Sequence, residues 1–150
     1  MVPWLSFEAP ALGEEARMAD RRVEMLALVP LFAGSSKRQL RGILDWTKEY
    51  HYKPGATIVR EGAKGQELFV LLDGKASLTR KGRTITRLLP GDFFGEMAVI
   101  DGGPRSATVV ADEDVDCLVL KQVDFRAMVE GDPSIAWHLL ETFAARLRRD

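Results

Sequence analysis

With 150 residues, 46% hydrophobic and 29% charged, the chain has the length and composition of one soluble globular domain, not of a disordered or membrane-spanning segment. Its 21 basic and 22 acidic residues nearly cancel, which excludes the broad positive field that draws proteins to nucleic acid. Cys117 is the only cysteine, so internal disulfides and multi-cysteine metal sites are excluded; no apolar run approaches the ~20 residues of a membrane span.

The first dozen residues show no regular pattern and are expected to be loose, and the start MVPWLSFEAP lacks the basic-then-apolar order of a secretory signal, so a cytoplasmic location is expected. From Glu14 to Val29, apolar residues recur at three- and four-residue spacing, which predicts an amphipathic helix ending near Pro30. Ser35-Ser36-Lys37 can cap a second short helix carrying Leu40, Ile43, Leu44 and Trp46 on one face.

After Tyr52 glycines and prolines punctuate short apolar stretches, the rhythm of strands joined by tight turns. The expected strands are Thr57 to Glu61, Glu67 to Leu72, Lys75 to Arg80, Thr84 to Leu89, Ala107 to Ala111 and Asp116 to Leu120, with Lys81-Gly82 as a hairpin turn. This spacing points to a small barrel or jelly roll. Helical patterning returns at Gln122, breaks at Gly131-Asp132-Pro133, and resumes in a final helix with Ile135, Leu139, Phe143 and Leu147 that ends in Arg148-Arg149. Cations there suit the negative end of a helix dipole, so this tail reads as a solvated helix end, not a nucleic-acid patch. Trp46 and Trp137 are expected to pack between helices.

The informative segment is FFGEMAVIDGGPRSATVVA, Phe93 to Ala111. Gly95 permits close backbone approach, and one helical turn from Glu96 to Ile100 would aim free amides at an anion. Arg105 supplies the countercharge, and its planar guanidinium can hold two phosphate oxygens at once. The turn Asp101-Gly102-Gly103-Pro104 brings Arg105 back beside Glu96. A carboxylate in an anion site makes sense only if it faces a hydroxyl donor such as a sugar hydroxyl. A plain ion pair between Glu96 and Arg105 on a barrel loop is the bland alternative, worth about 1 kcal/mol or less.

This segment resembles the phosphate-binding cassette of the cyclic nucleotide-binding domain family. Upstream, Pro54-Gly55 through Gly62, Gly65 and Leu68 to Gly74 resemble the family's glycine-marked strands. Downstream, Leu118-Val119-Leu120 and Asp124-Phe125 resemble its entry into the C-terminal helices. The resemblance covers roughly Leu31 to Arg149. It implies an α+β fold: an eight-stranded β jelly-roll barrel (double-stranded β-helix), flanked by N-terminal helices and C-terminal lid helices. Residues 1–30 would form an N-terminal tail and helix and 31–150 the binding domain, with the jelly roll at about 52–120 and the C-terminal helices at about 121–149.

The same resemblance implies that Glu96 accepts from a ribose 2′-hydroxyl and that Arg105 pairs with a cyclic phosphate. The backbone amides of Gly95, Ala98 and Ser106 would complete the ligand contacts, and Met97 and Ala107 would line the pocket. Ser106 stands where cyclic GMP binders commonly carry threonine and kinase regulatory subunits alanine; cyclic AMP is the expected ligand and cyclic GMP the alternative. The last helix would close as a lid, with Leu140, Phe143, Ala144 and Arg146 as candidates over the base, and change conformation on binding.

No further cofactor and no metal is expected. The chain ends before the helix-turn-helix that the family's transcription regulators carry, so direct DNA binding is not expected, nor is a membrane contact. The partner is an unknown protein effector, and the state a monomer or a homodimer through helices. An enzyme would need a nucleophile with a base or a liganded metal. His51 and His138 are isolated, and Cys117 alternates with apolar neighbours as a buried strand residue does. A ligand-free interaction module of the same fold is a competing reading, against which the joint presence of Glu96 and Arg105 speaks. A regulatory fragment of a larger protein would carry the same signals as a stand-alone sensor.

Overall fold

The computed structural model describes the backbone of residues 3–29 and 32–149, and the side chains of all of these except 3–12, 19, 146 and 149. Helix α1 (Pro3–Leu28) already begins at Pro3, so within the stretch expected to be loose residues 3–12 are helical, residues 1 and 2 lying outside the described residues. Its inward face carries Val23 and Leu26, both buried. Helix α2 (Lys37–Leu44) starts in a capping box: the Ser36 hydroxyl accepts from the Gln39 amide, and the Gln39 side chain accepts from the Ser36 amide.

Strands β1 (Lys48–Tyr52), β2 (Thr57–Val59), β3 (Glu67–Asp73), β4 (Ala76–Arg80) and β5 (Arg83–Leu88) follow, then β6 (Phe93–Phe94) and helix α3 (Glu96–Asp101). Strands β7 (Thr108–Ala111) and β8 (Val115–Lys121) lead into helices α4 (Gln122–Gly131) and α5 (Ser134–Arg149). Among the described residues the strands form two antiparallel four-stranded sheets, ordered β1-β8-β3-β6 and β2-β7-β4-β5. The β4–β5 hairpin turns at Lys81 (φ 52°) and Gly82 (φ 77°), both left-handed as a type I′ turn requires.

Side chains alternate across a strand, and in the first sheet both faces are covered. Leu68, Val70, Leu72, Leu118 and Leu120 face outward into a core shared with α1, α2, α4 and α5. Phe69, Leu71, Cys117 and Val119 face inward and meet Val59, Ala76, Val109 and Ala111 of the second sheet. Burial on both sides explains why β3 reads as the unbroken apolar run Leu68 to Leu72. The outer core ties both chain-terminal helical regions to one sheet, with Leu26 and Phe32 packed in the same cluster as Phe125, Met128, Ile135 and Leu139.

Two tryptophans depart from expectation. Trp137 is 64% exposed, because it lies two residues from both Ile135 and Leu139 and so about 200° around the helix from the buried face. Trp46 follows the end of α2 and is 48% exposed. Strand β1, absent from the predicted strands, pairs with β8 along its whole length.

Candidate functional site

The left-handed backbone at Gly95 (φ 85°) turns the chain from β6 into α3. A Cβ there would lie 2.7 Å from Nη1 of Arg105 and 2.7 Å from the Glu67 carbonyl oxygen, so both backbone angle and space demand glycine. Gly102, also left-handed, ends α3 by donating its amide to the Ala98 carbonyl. The chain then returns through Pro104, and Arg105 is fixed by its main chain: its amide donates to Ala63 and its carbonyl accepts from Gly62.

Arg105 is only 5% exposed. Its Nη1 donates to the carbonyl oxygens of Glu67 at 2.9 Å and Gly95 at 3.4 Å, and its Nη2 reaches Oε2 of Glu67 at 3.4 Å. The guanidinium also lies 5.6 Å from the ring centre of Phe69, which stacks on Phe94 at 4.9 Å. Burial pushes the Arg105 pKa down, and Glu67 acts in the opposite direction. An arginine still keeps its charge, so the arrangement is a buried cation with a loosely held carboxylate.

Gly95, Glu96, Met97, Arg105, Ser106 and Ala107 all line one cavity of about 720 Å³. Glu96 is buried there, at 9% exposure. Ala98 is buried and does not form part of the lining. Around the cavity collect apolar side chains that are otherwise exposed: Ile85, Met97, Ile100 and Leu147. A flat aromatic ligand would cover such surface. Two polar residues not singled out in the sequence also line the cavity: Thr86, and Arg80, whose Nε donates to the Ser106 carbonyl.

Of the lid candidates, Phe143 lines the cavity, and one turn further along α5 so does Leu147. Leu140 is 59% exposed and Ala144 is exposed, and neither contributes to the lining. The Arg146 side chain lies outside the described residues. Glu67, the carboxylate that meets Arg105, was not singled out in the sequence. It lies 38 positions before Arg105, at a strand start, where no local pattern marks it.

The isolated histidines remain apart. His51 is exposed and bridges Asp116 through Nδ1 and Asp114 through Nε2. No group of three or more His, Cys, Asp or Glu able to hold a metal ion occurs among the described residues. No helix there is long and apolar enough to cross a membrane.

A family model for the cyclic nucleotide-binding domain matches residues 49–132, which include the cassette and both flanking sheets. The chain belongs to this family. It is 34% identical over 145 residues to a cyclic nucleotide-gated potassium channel of Rhizobium etli, covering 95% of this chain and 41% of the relative. It is 36% identical over 124 residues to the cyclic AMP receptor protein of Thermus thermophilus, covering 79% of this chain and 57% of the relative. The crystal structure of the Thermus thermophilus catabolite activator protein superposes with a TM-score of 0.76 at 37% identity, over 80% of this chain and 59% of that one. The chain thus spans between two fifths and three fifths of these relatives' lengths.

Proposed function

We propose that residues 31–150 form a sensor domain binding a 3′,5′-cyclic nucleotide, cyclic AMP in preference to cyclic GMP, in the cavity between the second sheet, α3 and α5. Arg105 takes the cyclic phosphate, Glu96 accepts from the ribose 2′-hydroxyl, and the amides of Gly95, Ala98 and Ser106 complete the anion contacts. Residues 1–30 form an N-terminal extension that carries α1 (Pro3–Leu28).

The observation that carries this reading is Arg105: a guanidinium 5% exposed, facing a cavity, with the Glu67 carboxylate at 3.4 Å. Burying a cation is costly unless it is closely paired, and a phosphate supplies the balancing charge with bidentate geometry. The exposed apolar rim supports a purine as the remainder of the ligand, and the similarity to a cyclic AMP receptor supports adenine.

On this reading α5 is the mobile element. Phe143 and Leu147 touch the cavity, while Ile135 and Leu139 of the same helix anchor in the outer core. A ligand moves α5 only by as much as it binds the closed arrangement better than the open one, and contact through Phe143 provides that difference. The signal then reaches a protein effector through the helices.

Calorimetric titration with cyclic AMP, 2′-deoxy cyclic AMP, cyclic GMP and AMP tests the proposal. Cyclic AMP is expected to bind most tightly and AMP not to bind. Equal affinity for the 2′-deoxy compound would remove the sugar role of Glu96, and turnover of any of the four would point to an enzyme.

A further inference from the structure

The inner face of the first sheet continues past the closed barrel core. Residues directly opposite in an antiparallel pair project to the same side. Lys48, Val119 and Phe69 therefore form one row across β1, β8 and β3, and Tyr50, Cys117 and Leu71 form the next. The β8 and β3 members of these rows belong to the barrel core. On β1 the same rows finish in Lys48 and Tyr50, which are exposed, and one row further on Lys121 stands opposite Glu67.

Of these residues all but Cys117 and Leu71, which are fully buried, line a second cavity of about 720 Å³, bounded by Tyr52, Trp46 and the start of α4. Its chemistry is specific in two respects. Lys48 and Lys121 have no ion-pair partner among the described residues, and Lys121 is also the N-cap of α4, a helix start without a side-chain cap, so positive charge gathers there. The carboxylates of Glu67 and Asp124 also line it, but Glu67 is engaged by Arg105. Beside the cations, Trp46 and Tyr50 expose 48% and 45% of their surface on a concave wall, where a ring can stack.

We propose that this cavity is a second ligand site, for a small aromatic carboxylate, and that its occupant acts on Arg105 through Glu67. The ring stacks between Trp46 and Tyr50, and the carboxylate lies between Lys48 and Lys121. An anion held at Lys121 faces Glu67 and repels its carboxylate towards Arg105. The Arg105–Glu67 tie tightens, and the guanidinium becomes less available in the first cavity. The two ligands therefore oppose each other, and by linkage each weakens the other by the same factor, here about fivefold. The site itself stands apart from the proposed nucleotide reading; only this antagonism rests on it.

The test is a two-dimensional amide NMR titration of the intact chain with 4-hydroxybenzoate, with benzamidine as the same ring carrying a positive charge and acetate as the anion without a ring. Saturable shifts are expected for the Trp46 indole, Lys48 to Tyr52 and Lys121 to Asp124 with 4-hydroxybenzoate, lost in Tyr50→Ala and in Lys48→Ala/Lys121→Ala. Absence of saturable shifts, or equal binding of benzamidine, would overturn the site. Repeating a cyclic AMP titration with the cavity saturated should raise the dissociation constant about fivefold; an unchanged value would overturn the coupling. Failure of the chain to bind cyclic AMP at all would sink the nucleotide reading and the antagonism, while the benzoate titration would still decide the second site.

Discussion

Gly65 lies against the guanidinium of Arg105 so closely that a methyl group added there would sit 2.5 Å from Nε and 2.7 Å from Nη2. At Gly95 an added Cβ would likewise lie 2.7 Å from Nη1, so neither glycine can carry a side chain without moving the guanidinium. Gly65→Ala must therefore displace Arg105, whose backbone is held at Gly62 and Ala63. Cyclic AMP affinity should fall about tenfold, or about 1.4 kcal/mol, because the phosphate contact is weakened and not removed. Calorimetry on the variant checks this, and circular dichroism should show the fold unchanged.

The lid makes a separate prediction. Deleting Phe143 to Asp150 removes both α5 residues that line the cavity and leaves the cassette in place. Binding should weaken without vanishing. Hydrogen exchange of Ser134 to Leu147 should slow when cyclic AMP is added, as expected of a closing helix. Identical protection in both states would show that α5 is fixed.

Solution pH should act on the barrel through His51. Hydrogen bonds to Asp116 first, and then to Asp114, raise its pKa from the usual 6.5. A raised folded-state value means that the protonated histidine stabilises the fold. That stabilisation is complete below 6.5 and is lost as pH rises through the folded value. The urea midpoint should fall between about pH 6 and about pH 8, and the fall should flatten in His51→Asn. An equal fall in the variant would assign the effect to other groups.

Cys117 is fully buried in β8, and burial, with Asp116 adding to it, pushes its pKa up to about 12. The thiolate is the reactive form, so the native protein should react slowly with a disulfide reagent at neutral pH and rapidly once unfolded in urea. Fast labelling of the native state would contradict the closed barrel core.

How much of this could be read from the sequence depends on how local each signal was. The cassette was legible because Gly95, Glu96 and Arg105 fall within one short stretch whose turn brings them together. Strand β1 was not, because Lys-Glu-Tyr-His-Tyr is polar and largely exposed; only its register against β8 makes it a strand. Strand β6 has two residues and was absorbed into the cassette. Glu67 had no local signature at all, since its role arises from a contact across the fold. The hairpin at Lys81-Gly82 and the cap at Ser36 were readable because turn and cap chemistry is carried by the residues themselves.

The most direct test of the central claim is the cyclic AMP dissociation constant of Arg105→Ala beside the wild-type chain, with thermal unfolding as a control. Losing a buried charge-assisted contact of about 1.5 to 3 kcal/mol should weaken binding roughly 10- to 100-fold or more, with Arg105→Lys also impaired because it cannot hold two oxygens. Both variants should remain folded. An Arg105→Ala protein that binds cyclic AMP as tightly as the wild type would contradict the account.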